Sequence, residues 1–375
     1  GEEPYESGPP PDPYEPCDEY PQDPTGAVDK ALEWLVAQQN DDGSWHLDGS
    51  SGPLPGCGTG MALLALLGSG NTPYSGTYKQ EVCDGVKFLI SYQTGNGELE
   101  GGSLYSHLIA HWALAEAVLL SNAAQENGCN EGCDLTMAQM KAAGDLAVDF
   151  TAYANANEGG WAYTPVWGAM GTGRGDTSHL HFAIGAILAS EKAGLKKLNP
   201  FTGWRMREAV YDHLNGVGWY PLTDPNTGDE YPSQYGYWEG NATGGPRDQP
   251  SRRCTACGLI SRIMLDEAGI HEFYGAVPVE HPIVDAFFEA NEPDTTGDFY
   301  YNKPATFLAY ARGGDVWTKW NNILTPHLTA TQLADGSWYF PDHPDGHNAN
   351  GGKLYNTTFA IMCMGAGYAG LKIFD

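Results

Sequence analysis

Two kinds of segment alternate along the chain. One carries its apolar residues on a single helical face, as in Ala31-Leu-Glu-Trp-Leu-Val-Ala-Gln38 and Trp317-Thr-Lys-Trp-Asn-Asn-Ile-Leu324, whereas the other is apolar or small almost throughout, as in 61–67 and 108–120. The first pattern suits a helix half in water and the second a helix wrapped by protein. Outer helices are predicted over 26–39, 77–93, 135–154, 202–214, 281–290 and 315–332, and inner ones over 57–68, 104–121, 176–193, 252–268, 299–312 and 354–370. These pair into six hairpins, which can close into an all-α, α/α toroid with its inner helices packed through small residues such as Ala183, Gly185 and Ala186.

The turns support a repeat. Gln39-Asn-Asp-Asp-Gly-Ser-Trp45 returns near the other end as Gln332-Leu-Ala-Asp-Gly-Ser-Trp338, each after an outer helix, and decayed forms stand at 93–99, 158–161, 216–219 and 294–299. Asp-Gly supplies positive φ just past a helix end, the Trp folds back over the last turn, and the Gln amide can bond carbonyls freed there. This device joins one hairpin to the next and need not react.

Composition narrows the function. A hydrophobic content of 41% is ample for a core, and 47 acidic against 19 basic residues, a formal charge of −28, argue against nucleic acid and anionic membrane surfaces as partners. The apolar runs are far shorter than the roughly 20 residues of a membrane helix. Eight cysteines and an 18% charged fraction are expected of a secreted or cell-surface protein, with a signal peptide removed ahead of Gly1. Local disulfides are expected at Cys129–Cys133 and Cys254–Cys257, the second motif also admitting redox or zinc chemistry; Cys17, Cys57 and Cys83 could add another bridge, and Cys363 reads as a buried thiol. Residues 1–26, rich in Pro, Glu, Asp and Tyr, form an extended arm that would lie on its own domain, 27–375, or on a neighbouring copy. An aromatic insertion spans 222–251.

The repeated Gln-x-x-Asp-Gly-Ser-Trp resembles that of squalene-hopene cyclases and protein prenyltransferases, whose fold is an α/α toroid. The ordered motifs Gly160-Trp-Ala-Tyr-Thr-Pro165, Gly175-Asp-Thr-Ser178, Asp298-Phe-Tyr-Tyr301, Trp317-Thr-Lys-Trp320 and Gly351-Gly-Lys-Leu-Tyr355 resemble the secreted terpenoid-cyclase-like repeat proteins of planctomycete bacteria. The catalytic strings that this resemblance implies are missing: there is no Asp-x-Asp-Asp, no Asp-Asp-x-x-Asp and no Asp-x-Cys, and Gly56-Cys-Gly-Thr-Gly60 lacks the Glu-Gln of a thioester.

Candidate chemistry gathers where the inner-helix N-termini converge. Asp176 and His107 are the candidate acid and base, with Tyr105, His111, His179, Arg252, Tyr300, Tyr301 and Tyr355 lining a cavity and His181, Arg253 and Lys303 nearby. His107 and His111, four apart, could share a metal with His179 and His181. The turn 342–350 offers Asp342, Asp345, Asn348 and Asn350 to calcium, although its spacing is not that of an EF-hand; no other cofactor is expected. Trp167, Tyr235 and Trp238 could serve as glycan platforms, and Asn241 and Asn356 match the glycosylation pattern. Together these features predict a non-catalytic structural or binding protein, self-assembling through its arm into a fibre or surface layer. The alternatives are an enzyme acting on a terpenoid or polysaccharide in the toroid cavity and a glycan-binding module.

Overall fold

The computed structural model describes residues 17, 25–155, 160–163, 175–196, 214, 217–223, 228, 230–237, 249–267, 277–344 and 346–366. Six inner helices form a closed ring: α2 (Pro55–Gly68), α4 (Leu104–Glu126), α6 (Thr177–Lys192), α7 (Arg252–Glu267), α9 (Phe299–Arg312) and α11 (His347–Gly365). Each packs on the next, and α11 packs back on α2. Outside them, among the described residues, lie α1 (Ala27–Val36), α3 (Lys79–Tyr92), α5 (Met137–Tyr153), α8 (Pro282–Ala290) and α10 (Gly314–Thr331). The chain is an α/α toroid. Of the predicted outer helix at 202–214 only Leu214 is among the described residues, and the arm, apart from Cys17, Thr25 and Gly26, lies outside them.

The alternating polarity reappears as layering. In α10 only Trp317, Trp320, Leu324 and Leu328 are buried, a single stripe at helical spacing, whereas α2 buries every residue from Gly56 to Gly68. Small residues let the inner helices approach closely: a Cβ on Gly60 would meet the backbone of Ala110, and one on Gly185 the ring of Trp112.

The turn device is more specific than its sequence announced. Gln39 Nε2 donates to Gly43 O and to Glu81 O in α3, both at 3.0 Å. Gln93 does the same to Gly97 O and Ala143 O in α5, and Gln332 to Gly336 O and Ala27 O in α1. Each amide therefore ties the end of one outer helix to the neighbouring outer helix, and the last closes the circle onto the first. The indoles of Trp45, Trp161 and Trp338 each donate to a carbonyl ten residues back, Leu35, Thr151 and Leu328, satisfying helix-end acceptors. Gly43, Gly97 and Gly336 combine φ of 88°, 94° and 90° with a backbone approach to Asp84, Leu146 and Lys30 that leaves no room for a Cβ.

Three expectations change. The insertion contributes a hairpin: β1 (Gly218–Thr223) pairs antiparallel with β2 (Glu230–Tyr235), Gly218 opposite Tyr235 and Thr223 opposite Glu230. The last inner helix begins at His347 rather than near 354, because the turn at 347–350 is already helical and only Gly352, at φ 76°, interrupts it. The disulfides also pair differently, Cys17 with Cys129 and Cys83 with Cys133, while Cys254 and Cys257 are buried thiols within α7. Gly128 and Gly132, both at positive φ, turn the loop after α4 so that its two cysteines meet different partners, the arm and α3. Cys57 and Cys363 are also buried thiols. The two cross-links fit an oxidising setting. Among the described residues no helix is long and apolar enough to cross a membrane.

Candidate functional site

A cavity of about 600 Å³ opens where the N-termini of α2, α4, α6, α9 and α11 converge. Its wall is built from residues one helical turn apart: Cys57 and Met61, Tyr105 and Ile109, Ser178 and Phe182, Tyr355 and Phe359. Tyr163, Tyr237, Tyr300, His347 and Asn350 complete the rim. Hydroxyls and aromatic faces dominate this surface, and no carboxylate lines it among the described residues.

A hydroxyl chain leads from the cavity to a carboxylate one layer behind. Ser178 donates from both its N–H and its Oγ to Asp176 Oδ1, at 2.8 and 2.6 Å, with Asp176 as the N-cap of α6. Tyr300 donates to the Ser178 carbonyl at 2.6 Å, which commits its only proton. The Tyr105 proton therefore faces two acceptors, Ser178 Oγ and Tyr300 Oη, both at 2.5 Å, and its oxygen keeps a lone pair toward the cavity. Burial, followed by the Asp176 charge, raises the Tyr105 phenol well above its ordinary value, and the same two causes push Tyr163 up to about 12. Both phenols hold their protons at neutral pH, so the arrangement can pass a proton between a bound group and Asp176 without moving the carboxyl.

His107 and His111 face away from the cavity. Two residues beyond Tyr105, His107 is turned about 200° around the helix, toward α5. Leu99 N–H donates to His107 Nδ1 at 3.2 Å, so Nε2 carries the proton and donates to Thr151 Oγ1 at 2.9 Å. Thr151 donates in turn to His111 Nδ1 at 2.7 Å, and His111 Nε2–H donates to Ser190 Oγ at 3.0 Å, whose proton goes to Ala186 O. All four ring nitrogens are committed and both rings are neutral: burial lowers His111 to about 3, and burial followed by His111 holds His107 well below its ordinary value. The pairing of His107 as base with Asp176 as acid is thereby corrected, as is a metal at these histidines.

The remaining candidates separate. Tyr105, Tyr300 and Tyr355 do line the cavity, and the His179 ring lies behind Tyr105 at 3.6 Å between centres. Arg252 and Tyr301 do not. Arg252 stacks 4.4 Å over the Tyr301 ring and pairs with Asp294 and Asp298, the latter also held by Arg253 at 2.8 Å. His343 stands near enough to complete a three-ligand set with Asp294 and Asp298, but the two arginines already neutralise those carboxylates. Of the proposed calcium ligands, Asn348 Nδ2 donates inward to Gly297 O, Asn350 Oδ1 accepts from Ser50, and Asp345 lies outside the described residues. Tyr235 is buried against Arg262 and offers no glycan platform; Trp167, Trp238 and Asn241 lie outside the described residues. Asn356 is buried, donating to Asn348 O and Gly352 O, and cannot accept a glycan in the folded chain.

Fold and site define a class, the α/α toroid with an aromatic cavity at the inner-helix N-termini. No protein-family model matches the sequence, and no curated protein matches it. Solved structures do match over the whole ring. The α-1,6-mannanase GH76A of Salegentibacter sp. HEL1_6 superposes with a TM-score of 0.57 at 11% identity, over 91% of this chain and 98% of that one. A family 76 glycoside hydrolase from a bovine Bacteroides thetaiotaomicron strain gives 0.59 at 9% identity, over 92% and 77%. The mannanase is also known as an inactive variant, with two adjacent aspartates replaced, in complex with α-1,6-mannotriose, at a TM-score of 0.57. These neighbours correct the resemblance read from the sequence motifs: the toroids just named are glycoside hydrolases and not terpenoid cyclases. They equally displace the expectation of a non-catalytic fibre subunit. The only adjacent aspartate pair here, Asp41-Asp42, sits in an exposed outer turn, where Asp42 binds Ser44.

Proposed function

We propose that the chain is a carbohydrate-active enzyme that binds sugar units of an extracellular or surface polysaccharide in the cavity and cleaves a glycosidic bond there. The observation that carries this reading is the Tyr105–Ser178–Asp176 chain, which connects a sugar-sized, tyrosine-lined cavity to a buried carboxylate. Tyrosine faces stack on the apolar faces of pyranose rings, and hydroxyls with Asn350 suit their edges. Glycosidic hydrolysis needs a proton taken from the attacking water as well as one delivered to the leaving oxygen. Tyr105 is the group that reaches the cavity: its oxygen can accept the proton of that water while its own passes to Ser178 and the Ser178 proton to the Asp176 carboxylate. The toroids of the superposing glycoside hydrolases support the reading at the level of fold.

Glycosidases ordinarily use two carboxyl groups, and the described wall of the cavity supplies none. The relay accounts for activation of the attacking water, and protonation of the leaving oxygen is left to a group outside it. The test is release of reducing ends from a panel of neutral polysaccharides, α-1,6-mannan among them, alongside calorimetric binding of their oligosaccharides. Cleavage that falls at least tenfold in Tyr105→Phe and in Asp176→Asn, with binding retained, supports the reading. Cleavage untouched by both variants, or no turnover of any glycan, overturns it.

A further inference from the structure

A side chain that this reaction does not use lies beneath the cavity. Lys303, in the first turns of α9, is wholly buried, and its Nζ has no hydrogen-bond partner among the described residues. Aromatic rings surround it instead: Nζ lies 4.1 Å from the ring centre of Phe182, 4.7 Å from Trp112 and 5.6 Å from both Phe307 and Phe359. These rings come from α6, α4, α9 and α11, so the amine stands where the inner helices meet. Phe182 and Phe359 are at the same time part of the cavity wall. One face of the wall looks onto the cavity and the layer behind it holds an amine.

Aromatic faces attract a cation but accept its protons far less well than water does, and removal from water disfavours the charged form. Burial accordingly lowers the Lys303 amine to about 7. The neighbouring thiols offer no counter-charge, since burial raises Cys257 well above its ordinary value and Cys363 to about 12. His181, the other titratable group there, is held neutral by burial and then by Lys303 itself. Nothing around Nζ demands an amine: a methionine would fill the same apolar cage without a polar atom to desolvate. What an amine adds in this place is nucleophilicity.

We propose that Lys303 is a reversible covalent site for aldehydes, set behind the Phe182 and Phe359 wall of the cavity. Nζ adds to the carbonyl carbon, the carbon–nitrogen double bond forms, and the carbonyl oxygen leaves as water with the two amine protons. The imine then takes up one proton, and the resulting iminium charge rests among the four rings where the ammonium charge would lie. The cage selects this chemistry over carbon dioxide, because a carbamate would place an anion against aromatic faces. The open-chain form of a reducing sugar is the aldehyde that the cavity would deliver; that source rests on the proposed function, whereas the imine site does not.

The intact, disulfide-bonded chain is treated at pH 7 with glycolaldehyde and sodium cyanoborohydride, and the label on each lysine is followed over time by peptide mass spectrometry. An ordinary lysine, with a pKa near 10.4, is about one part in 2,500 free base at that pH, against roughly half for an amine titrating near 7. Lys303 is expected to label at least tenfold faster than the exposed Lys30 and Lys319, and Lys303→Met to lose that label alone. A folded chain in which Lys303 labels no faster than those two overturns the proposal. A second series replaces glycolaldehyde by a reducing disaccharide: labelling with both assigns the sugar as source, and labelling with glycolaldehyde alone keeps the imine site and rejects the sugar. A chain that labels at Lys303 yet cleaves no glycan separates this inference from the one before it.

Discussion

His107 and Thr151 meet through a single hydrogen bond of 2.9 Å whose direction is fixed from both ends. Leu99 N–H already occupies Nδ1 of the ring, so Nε2 must donate, and the threonine must pass its own proton on to His111. Replacing the hydroxyl by a methyl leaves one buried donor and one buried acceptor without partners. Thr151→Val is expected to cost about 2–6 kcal/mol, at about 1–3 for each stranded group. Urea unfolding at pH 8 measures it; a loss below about 0.5 kcal/mol would show that the relay contributes little.

The same neutral rings predict acid sensitivity. A histidine whose folded-state pKa is depressed contributes fully above its unfolded value, about 6.5, and that contribution is lost as pH falls toward the folded value. For His111 the window therefore runs from about 6.5 down to about 3, with His107 falling alongside it. The slope is about 1.4 kcal/mol per pH unit for each ring. Urea midpoints at pH 8, 6, 5 and 4 should decline throughout, and a flat profile between 6.5 and 5 would contradict the neutral assignment.

Reduction should act on the lower-numbered half of the ring. The disulfides close loops of 112 and 50 residues, worth about 5 and about 4 kcal/mol in the loop-closure description. The loops interleave, so the joint effect is smaller than the sum. Calorimetry with and without a thiol reductant should show a clear fall in Tm, and Cys83→Ala/Cys133→Ala should reproduce part of it. No change on complete reduction would mean that the packing around Tyr74 and Ala124 holds this region alone.

The turn amides should be equivalent around the circle. Gln39→Ala and Gln332→Ala each remove two hydrogen bonds to carbonyls, one of them on the neighbouring outer helix. Each is expected to cost about 1–2 kcal/mol, measured by thermal unfolding. A much larger loss for one would mark that junction as the weaker seam.

Periodicity revealed the hairpins because burial on one side or on all sides writes itself directly into polarity. It placed α1 to within a few residues and recognised Tyr105, Tyr300, Tyr355 and Asp176 as neighbours of one mouth. It misassigned His107 because membership of an inner helix was taken as access to the cavity, although two residues along a helix reverse the direction of a side chain. The lining pairs at i and i+4, such as Ser178 and Phe182, were readable by carrying the phase of Tyr105 around the ring. Disulfide pairing was not readable, since spacing says nothing of the turns that redirect Cys129 and Cys133. The resemblance to cyclases rested in part on a turn whose task is to splice outer helices, and such a splice serves any toroid whatever its chemistry.

The bond from Gln332 to Ala27 has a consequence for how this molecule comes apart. Stacked repeats in an open array fray from their terminal units, because those have one neighbour where the rest have two. Here every inner helix has a neighbour on either side, and the seam between α11 and α2 is one contact among equals. Melting any one hairpin strips cover from both of those flanking it. Such a circle has no end at which unzipping can begin cheaply, so it opens as a whole or stays shut.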